Sequence, residues 1–168
     1  MNSRKSLRYI IAPLLALLAA SYTTTPVFAE SEAVEGTWRL VSRVLPDGKK
    51  VAPSEIMGLW TSTNGHRNLN VVWRTPDGKV ASYSLMSTYK FTRADYTETL
   101  AFNLYNDPGN PQSPILKTTP ETKTVSVKRE GARVSFKLPF DAPSIVIDSD
   151  KLIATAEGMF VDTWERVK

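Results

Sequence analysis

Cysteine is absent from the 168 residues and histidine occurs once. The first absence excludes disulfides, thiol nucleophiles, lipidated cysteine anchors and thiolate zinc sites, and the second excludes any metal centre that needs two imidazoles. His66, in Asn64-Gly65-His66-Arg67-Asn68, has neither the companions of a metal ligand nor the positioned partner of a general base, so a surface turn residue is expected there. Neither a metal nor another cofactor is expected. No Gly-x-Ser-x-Gly elbow and no phosphate loop is present, which removes the common hydrolase and nucleotide-binding signatures. No long helical stripe is present either. The one place where a helical turn could be capped is Ser54, within residues 53–58.

The longest apolar run, Tyr9 to Ala20, follows Arg4, Lys5 and Arg8 and leads to Val27-Phe28-Ala29. Twelve apolar residues reach only about 18 Å as a helix, against about 30 Å of hydrocarbon. Basic start, short apolar middle and small residues at the end are the pattern of a secretory signal. Residues 1–29 are therefore expected to be an export signal cleaved after Ala29, and residues 30–168 one mature domain, with no stable membrane insertion after cleavage and a periplasmic destination. The charge moves with the cut. The whole chain carries +4, but the signal holds three basic and no acidic residues, leaving 18 basic against 17 acidic, about +1. A nucleic-acid partner is not expected, because phosphate neutralisation needs a concentrated basic surface.

What the mature chain does contain is a succession of short segments rich in Val, Thr, Tyr, Phe and Trp, interrupted by turn residues about every ten positions, the pattern of an all-β sandwich or barrel. Pro46-Asp47-Gly48-Lys49 and Pro76-Asp77-Gly78-Lys79 each read as a hairpin, glycine accepting the positive φ of a tight turn. Further hairpins are expected at Glu130-Gly131 and Ser149-Asp150. Alternation assigns the faces, since successive strand residues point to opposite sides. Trp38, Leu40, Ser42 and Val44 share one side, opposed by Arg39 and Arg43. Leu69, Val71 and Trp73 share another. Tyr83, Leu85, Tyr89 and Phe91 face one way, as do Tyr96, Glu98, Leu100, Phe102 and Leu104, the latter set opposed by Thr97, Thr99 and Asn103. Val134, Phe136 and Leu138 complete the apolar face.

A sheet with one dry face needs a second sheet or must close on itself, and hairpin-linked neighbours favour a single up-and-down antiparallel β-barrel of roughly eight to ten strands. The stretch from Asn106 to Lys123, with Pro108, Pro111, Pro114 and Pro120, breaks the rhythm and reads either as a lid over the barrel mouth or as a solvated surface loop.

Gly36-Thr37-Trp38-Arg39-Leu40-Val41-Ser42 opens the first strand and Asp162-Thr163-Trp164-Glu165-Arg166 closes the last. With a DG hairpin following, this chain resembles the lipocalin superfamily, and within it the small bacterial lipocalin-like domains. The resemblance implies that Trp38, of Gly36-x-Trp38, plugs the closed end of the barrel and that Arg166 lies across the indole. It also implies a barrel able to hold one small ligand. The family's disulfide and internal motif are not found.

The inward aromatic residues Trp73, Tyr83, Tyr89, Tyr96 and Phe102 are candidate lining for a small apolar or amphipathic molecule, with tyrosine hydroxyls as polar handles; a packed core is the alternative. Glu98 shares their face, and a buried carboxylate needs a partner, for which Arg67 is the candidate. The pair would be either a ligand anchor or a structural ion pair. Two other functions remain open: an isomerase or lyase with Glu98 as acid or base and Tyr83 or Tyr96 as proton partner, and a ligand-free module that recognises an envelope protein by its loops.

Overall fold

The computed structural model describes residues 33–51 and 53–168; the expected export signal lies outside them. All regular structure among these residues is strand: β1 (Gly36–Val44), β2 (Lys50–Val51), β3 (Ile56–Thr63), β4 (His66–Arg74), β5 (Val80–Phe91), β6 (Asp95–Asn106), β7 (Ile115–Lys117), β8 (Glu121–Ser126), β9 (Lys128–Glu130), β10 (Arg133–Lys137), β11 (Ser144–Asp148), β12 (Lys151–Ala156) and β13 (Phe160–Arg166). Residues 53–55 form a turn, and strand begins at Ile56, so Ser54 caps no helix.

Every pairing is antiparallel, and the ladder runs β7-β6-β5-β4-β3-β1-β13-β12-β11-β10-β9. The sheet then returns on itself. β8 pairs β6, and β9, one residue further along the chain, pairs β10, so one interrupted strand joins the two margins of the sheet. The seam at β10 is narrow, three residue pairs from Arg133↔Glu130 to Ser135↔Lys128. Beyond it, Lys123 of β8 reaches the β10–β11 connection, its ammonium 4.8 Å from the Phe140 ring centre.

The expected hairpins form, with Gly48, Gly78 and Gly131 at φ 83°, 81° and 63°, and Ser149 taking φ 55° between β11 and β12. A further hairpin at Asn64-Gly65 joins β3 to β4, both residues having positive φ. Asn-Gly is the strongest short hairpin signal, so this turn was readable from the sequence. His66, the first residue of β4, is exposed.

Phase is the main departure from the expected faces. In β1, Leu40 pairs Trp164 while Ser42 pairs Thr163, leaving Val41 as an extra residue. In β6, Leu100 pairs Ser87 while Phe102 pairs Met86, leaving Ala101 extra. A bulge inserts one residue against none, so side chains beyond it exchange faces. Arg43, expected outside, consequently faces the interior, where Asp162 of β13 meets it. Phe102 and Leu104 turn to the outer face, Phe102 opposite the exposed Met86, and Asn103 and Tyr105 take their inward places.

The core gathers Trp38, Leu40, Ile56, Trp60, Leu85, Tyr96, Leu100, Phe136, Ile145, Leu152 and Trp164, all nearly inaccessible. Its largest groups are fitted by a gap elsewhere: a Cβ on Gly58 would stand 2.7 Å from Trp164 and 2.9 Å from Leu40, so Gly58 leaves the room that the indole fills.

Candidate functional site

The two ends of the barrel are built differently. At one end lie the start of β1, the Asn64-Gly65 hairpin and the end of β13. Trp38 is fully buried there, and the Arg166 guanidinium lies 4.0 Å from its ring centre. Arg166 is fixed by donating to the backbone carbonyls of Glu35 and Ala33. It passes so close to Gly36, at φ 109°, that a Cβ there would stand 2.7 Å from its Nη1. Gly36, Trp38 and Arg166 therefore form one unit: glycine admits the arginine, and the arginine covers the indole with a cation–π contact.

Directly inside this end, Arg67 of β4 donates to Glu98 of β6 at 2.6 Å, both side chains having no exposure. Ser87 donates to the same carboxylate oxygen at 2.5 Å, and the guanidinium lies 4.4 Å from the Trp60 ring centre. Arg67 also donates at 2.7 Å to Asp141, which descends from the β10–β11 connection at the opposite end. Tyr83 donates its hydroxyl to the other oxygen of Asp141. Burial alone would lower the Arg67 pKa, but Asp141 and Glu98 outweigh it and hold the cation above its ordinary value. Burial and then Asp141 push the Tyr83 phenol well above the tyrosine range, so Tyr83 is a fixed donor rather than a base.

Tyr89 and Tyr96 stack with ring centres 5.8 Å apart, and Tyr96 packs on Phe136 at 4.8 Å. Tyr89 donates to Glu35 at 2.7 Å. Both phenols are raised by burial, Tyr89 further by Glu35. They belong to the packed floor of the barrel.

Above that floor is a cavity of 390 Å³, within the range of about 300–1,000 Å³ usual for small-molecule pockets. Its walls carry Trp60, Trp73, Tyr83, Tyr105, Phe140, Phe160 and Trp164 with Leu69, Val71, Leu138 and Ala154, and its polar groups are Arg43, Asn103, Asp141 and Asp162. Arg43 grips Asp162 with two bonds of 2.7 Å, and its guanidinium lies 3.8 Å from the Phe160 ring centre. Burial raises the Asp162 pKa, with Arg43 opposing in part.

Of the candidates read from the sequence, Trp73 and Tyr83 line this cavity. Arg67, Glu98, Tyr89 and Tyr96 face the interior but lie beneath it, and Arg67 borders it through Asp141 and the Trp60 ring. Glu98, fully enclosed by Arg67 and Ser87, is not placed to touch a molecule in the cavity. Phe102 is on the outer face, a correction that follows from the Ala101 bulge. No residue of the Pro-rich stretch 106–123 lines the cavity: β7 and β8 lie along β6, and Phe140, Asp141, Ala142 and Pro143 border the mouth instead.

Sequence reasoning missed Arg43, Asn103, Tyr105, Asp141 and Asp162. Asp162 was legible, because it alternates with the inward Trp164. Asp141 sits in a connection and carries no periodic signal, while the other three were hidden by the bulges. Among the described residues no cluster of three His, Asp or Glu side chains could hold a metal.

Comparison with known proteins adds little to this geometry. No protein-family model matches the chain, and no curated protein matches it. Among solved structures it is similar to a redesigned β-barrel, at 11% identity and a TM-score of 0.32 over 83% of this chain and 96% of that one. The barrel is established by the strand register of the chain itself.

Proposed function

We propose that this protein is an exported, lipocalin-like carrier that binds a small amphipathic molecule in the cavity at the open end of its barrel. The observation that carries the reading is the cavity's composition: 390 Å³ walled by aromatic and aliphatic side chains, with a few fixed polar groups. Apolar walls supply affinity, and a few oriented polar groups select what enters. The unit of Gly36, Trp38 and Arg166 at the opposite end supports the lipocalin-like assignment. The basic and apolar character of residues 1–29 supports export.

N-phenyl-1-naphthylamine, an uncharged dye that brightens in apolar surroundings, tests the reading. It is expected to bind one molecule per chain with a Kd on the order of micromolar. Ala154→Phe, which fills the cavity from β12, should weaken the dye at least about tenfold while leaving the far-ultraviolet circular dichroism unchanged. Absence of binding, or binding indifferent to Ala154→Phe in the folded variant, would overturn the carrier reading.

A further inference from the structure

The polar groups of the cavity go further than its size and say what charge its occupant carries. Resting on the carrier reading, we infer that the ligand is an organic cation: an amine with an apolar body, whose ammonium group sits against Asp141 among Trp73, Tyr83 and Tyr105.

Charge balance is the first support. Arg67 serves two carboxylates, Glu98 and Asp141, so this buried group carries one formal negative charge in excess. Of the three, Asp141 lines the cavity. Arg43 and Asp162 balance each other, and Arg43, the one basic side chain among the described lining residues, is committed on two sides. Asp162 takes two of its N–H groups and the Phe160 ring covers its face. An anion entering here would meet Asp141 and Asp162, and the one cation on the wall, Arg43, already has its charge balanced by Asp162. Surplus charge in a low-dielectric enclosure is felt strongly, and an ammonium group is what relieves it.

Ring placement is the second support. Trp73 and Tyr105 have centres 6.2 Å apart, and Tyr83 and Tyr105 6.5 Å apart, so three aromatic residues of the cavity wall form one cluster that is joined to Asp141 through the Tyr83 hydroxyl. Tryptophan and tyrosine faces attract cations, by about 2 kcal/mol or more when the site is dry. Acceptor capacity is the third. Asp141 receives one bond at each oxygen, from Tyr83 and from Arg67, while a carboxylate can accept about four. The remaining lone pairs suit the N–H donors of a protonated amine. The same donors find no equal in a hydroxyl, and a carboxylate would bring only repulsion.

Three probes sharing one tail decide the matter on the full chain at neutral pH: octylamine, octan-1-ol and octanoate, titrated by calorimetry or through the tryptophans of the cavity. Octylammonium is expected to bind at least about tenfold more tightly than octanol, and octanoate more weakly than octanol. Equal affinities, or a preference for octanoate, would overturn the inference and leave the carrier reading standing. Binding of none of the three would overturn both. Asp141→Asn removes the surplus charge at the cavity, and the amine's advantage over octanol should fall to within about twofold. Should that variant fail to fold, Glu98→Gln removes the same charge from beneath without altering the lining and should shrink the advantage severalfold. An advantage that survives undiminished in either folded variant would overturn the inference.

Discussion

The two halves of this barrel are made of the same strands and differ in how side chains fill them. The half around Trp38 and Tyr96 is solid, and every inward residue there follows the period of two. The half around Trp73 and Arg43 is hollow, and two of its strands arrive out of phase, displaced by Val41 in β1 and Ala101 in β6. Each bulge sits between the halves. Were Val41 and Ala101 paired within the ladder, β6 would present Phe102 and Leu104 to the interior, and β1 would present Arg43 to solvent. The bulges place Arg43, Asn103 and Tyr105 inside instead. Alternation makes the core, and its interruption makes the pocket.

The solid half also contains the costliest polar group. Arg67 and Glu98 have no exposure, whereas Arg43 and Asp162 retain 12% and 3%. Truncating one member of a buried ion pair strands a charge and costs about 3–5 kcal/mol, much of it the desolvation of what is left behind. Arg67→Met would strand two carboxylates and is expected to cost at least that much by urea denaturation. Arg43→Met at the hollow end should cost roughly 1–3 kcal/mol, because the partner it leaves can protonate. Equal costs at the two ends would break the contrast.

Deleting Ala101 tests the bulge itself. Phe102 would then follow Leu100 directly, so the ladder becomes continuous while Phe102 keeps its outward place and Asn103 and Tyr105 their inward ones. The cavity should therefore keep its N-phenyl-1-naphthylamine affinity to within about twofold, roughly 0.4 kcal/mol. Near-ultraviolet signals from the Trp38 end should persist. A folded deletion variant that loses the dye about tenfold would show that the bulge shapes the pocket by more than the phase it gives Asn103 and Tyr105.

The smallest effect is alkaline. Tyr83, Tyr89 and Tyr96 all have phenol pKa values raised by burial, above the ordinary value of 10.0. In the unfolded chain these protons leave near pH 10, so the stability they contribute is fully present below that pH and is lost as pH rises above it. Spectrophotometric titration should show these phenols ionising only together with unfolding, while Tyr105, 37% exposed, ionises in the folded state. Smooth ionisation of all of them in a folded protein would contradict the packing of the solid half.

Legibility follows the same division. The antiparallel barrel, its hairpins and the Arg67–Glu98 contact were expected from residue order, because each depends on turn chemistry or on alternation uninterrupted up to that point, whereas the Trp38–Arg166 stack was expected only from the resemblance to lipocalins. Phe102 was misplaced and Arg43 was assigned outside for one reason: nothing in Leu40-Val41-Ser42 or Leu100-Ala101-Phe102 marks an inserted residue. A bulge is fixed by what the neighbouring strand offers. The Pro-rich stretch was similarly opaque, since short strands laid along β6 look like loop until their partner is known.

The sequence by itself determined that this is a β protein with one dry face and where its turns fall, since those follow from local φ preferences and from the two-residue repeat of a strand. Only the tertiary structure decided that the other end is hollow, that Asp141 drops from a connection to meet Arg67, and that Arg43 looks inward. Each of these depends on the register between strands distant in the chain, which is set by the packing of Trp164, Gly58 and their neighbours rather than by any local preference.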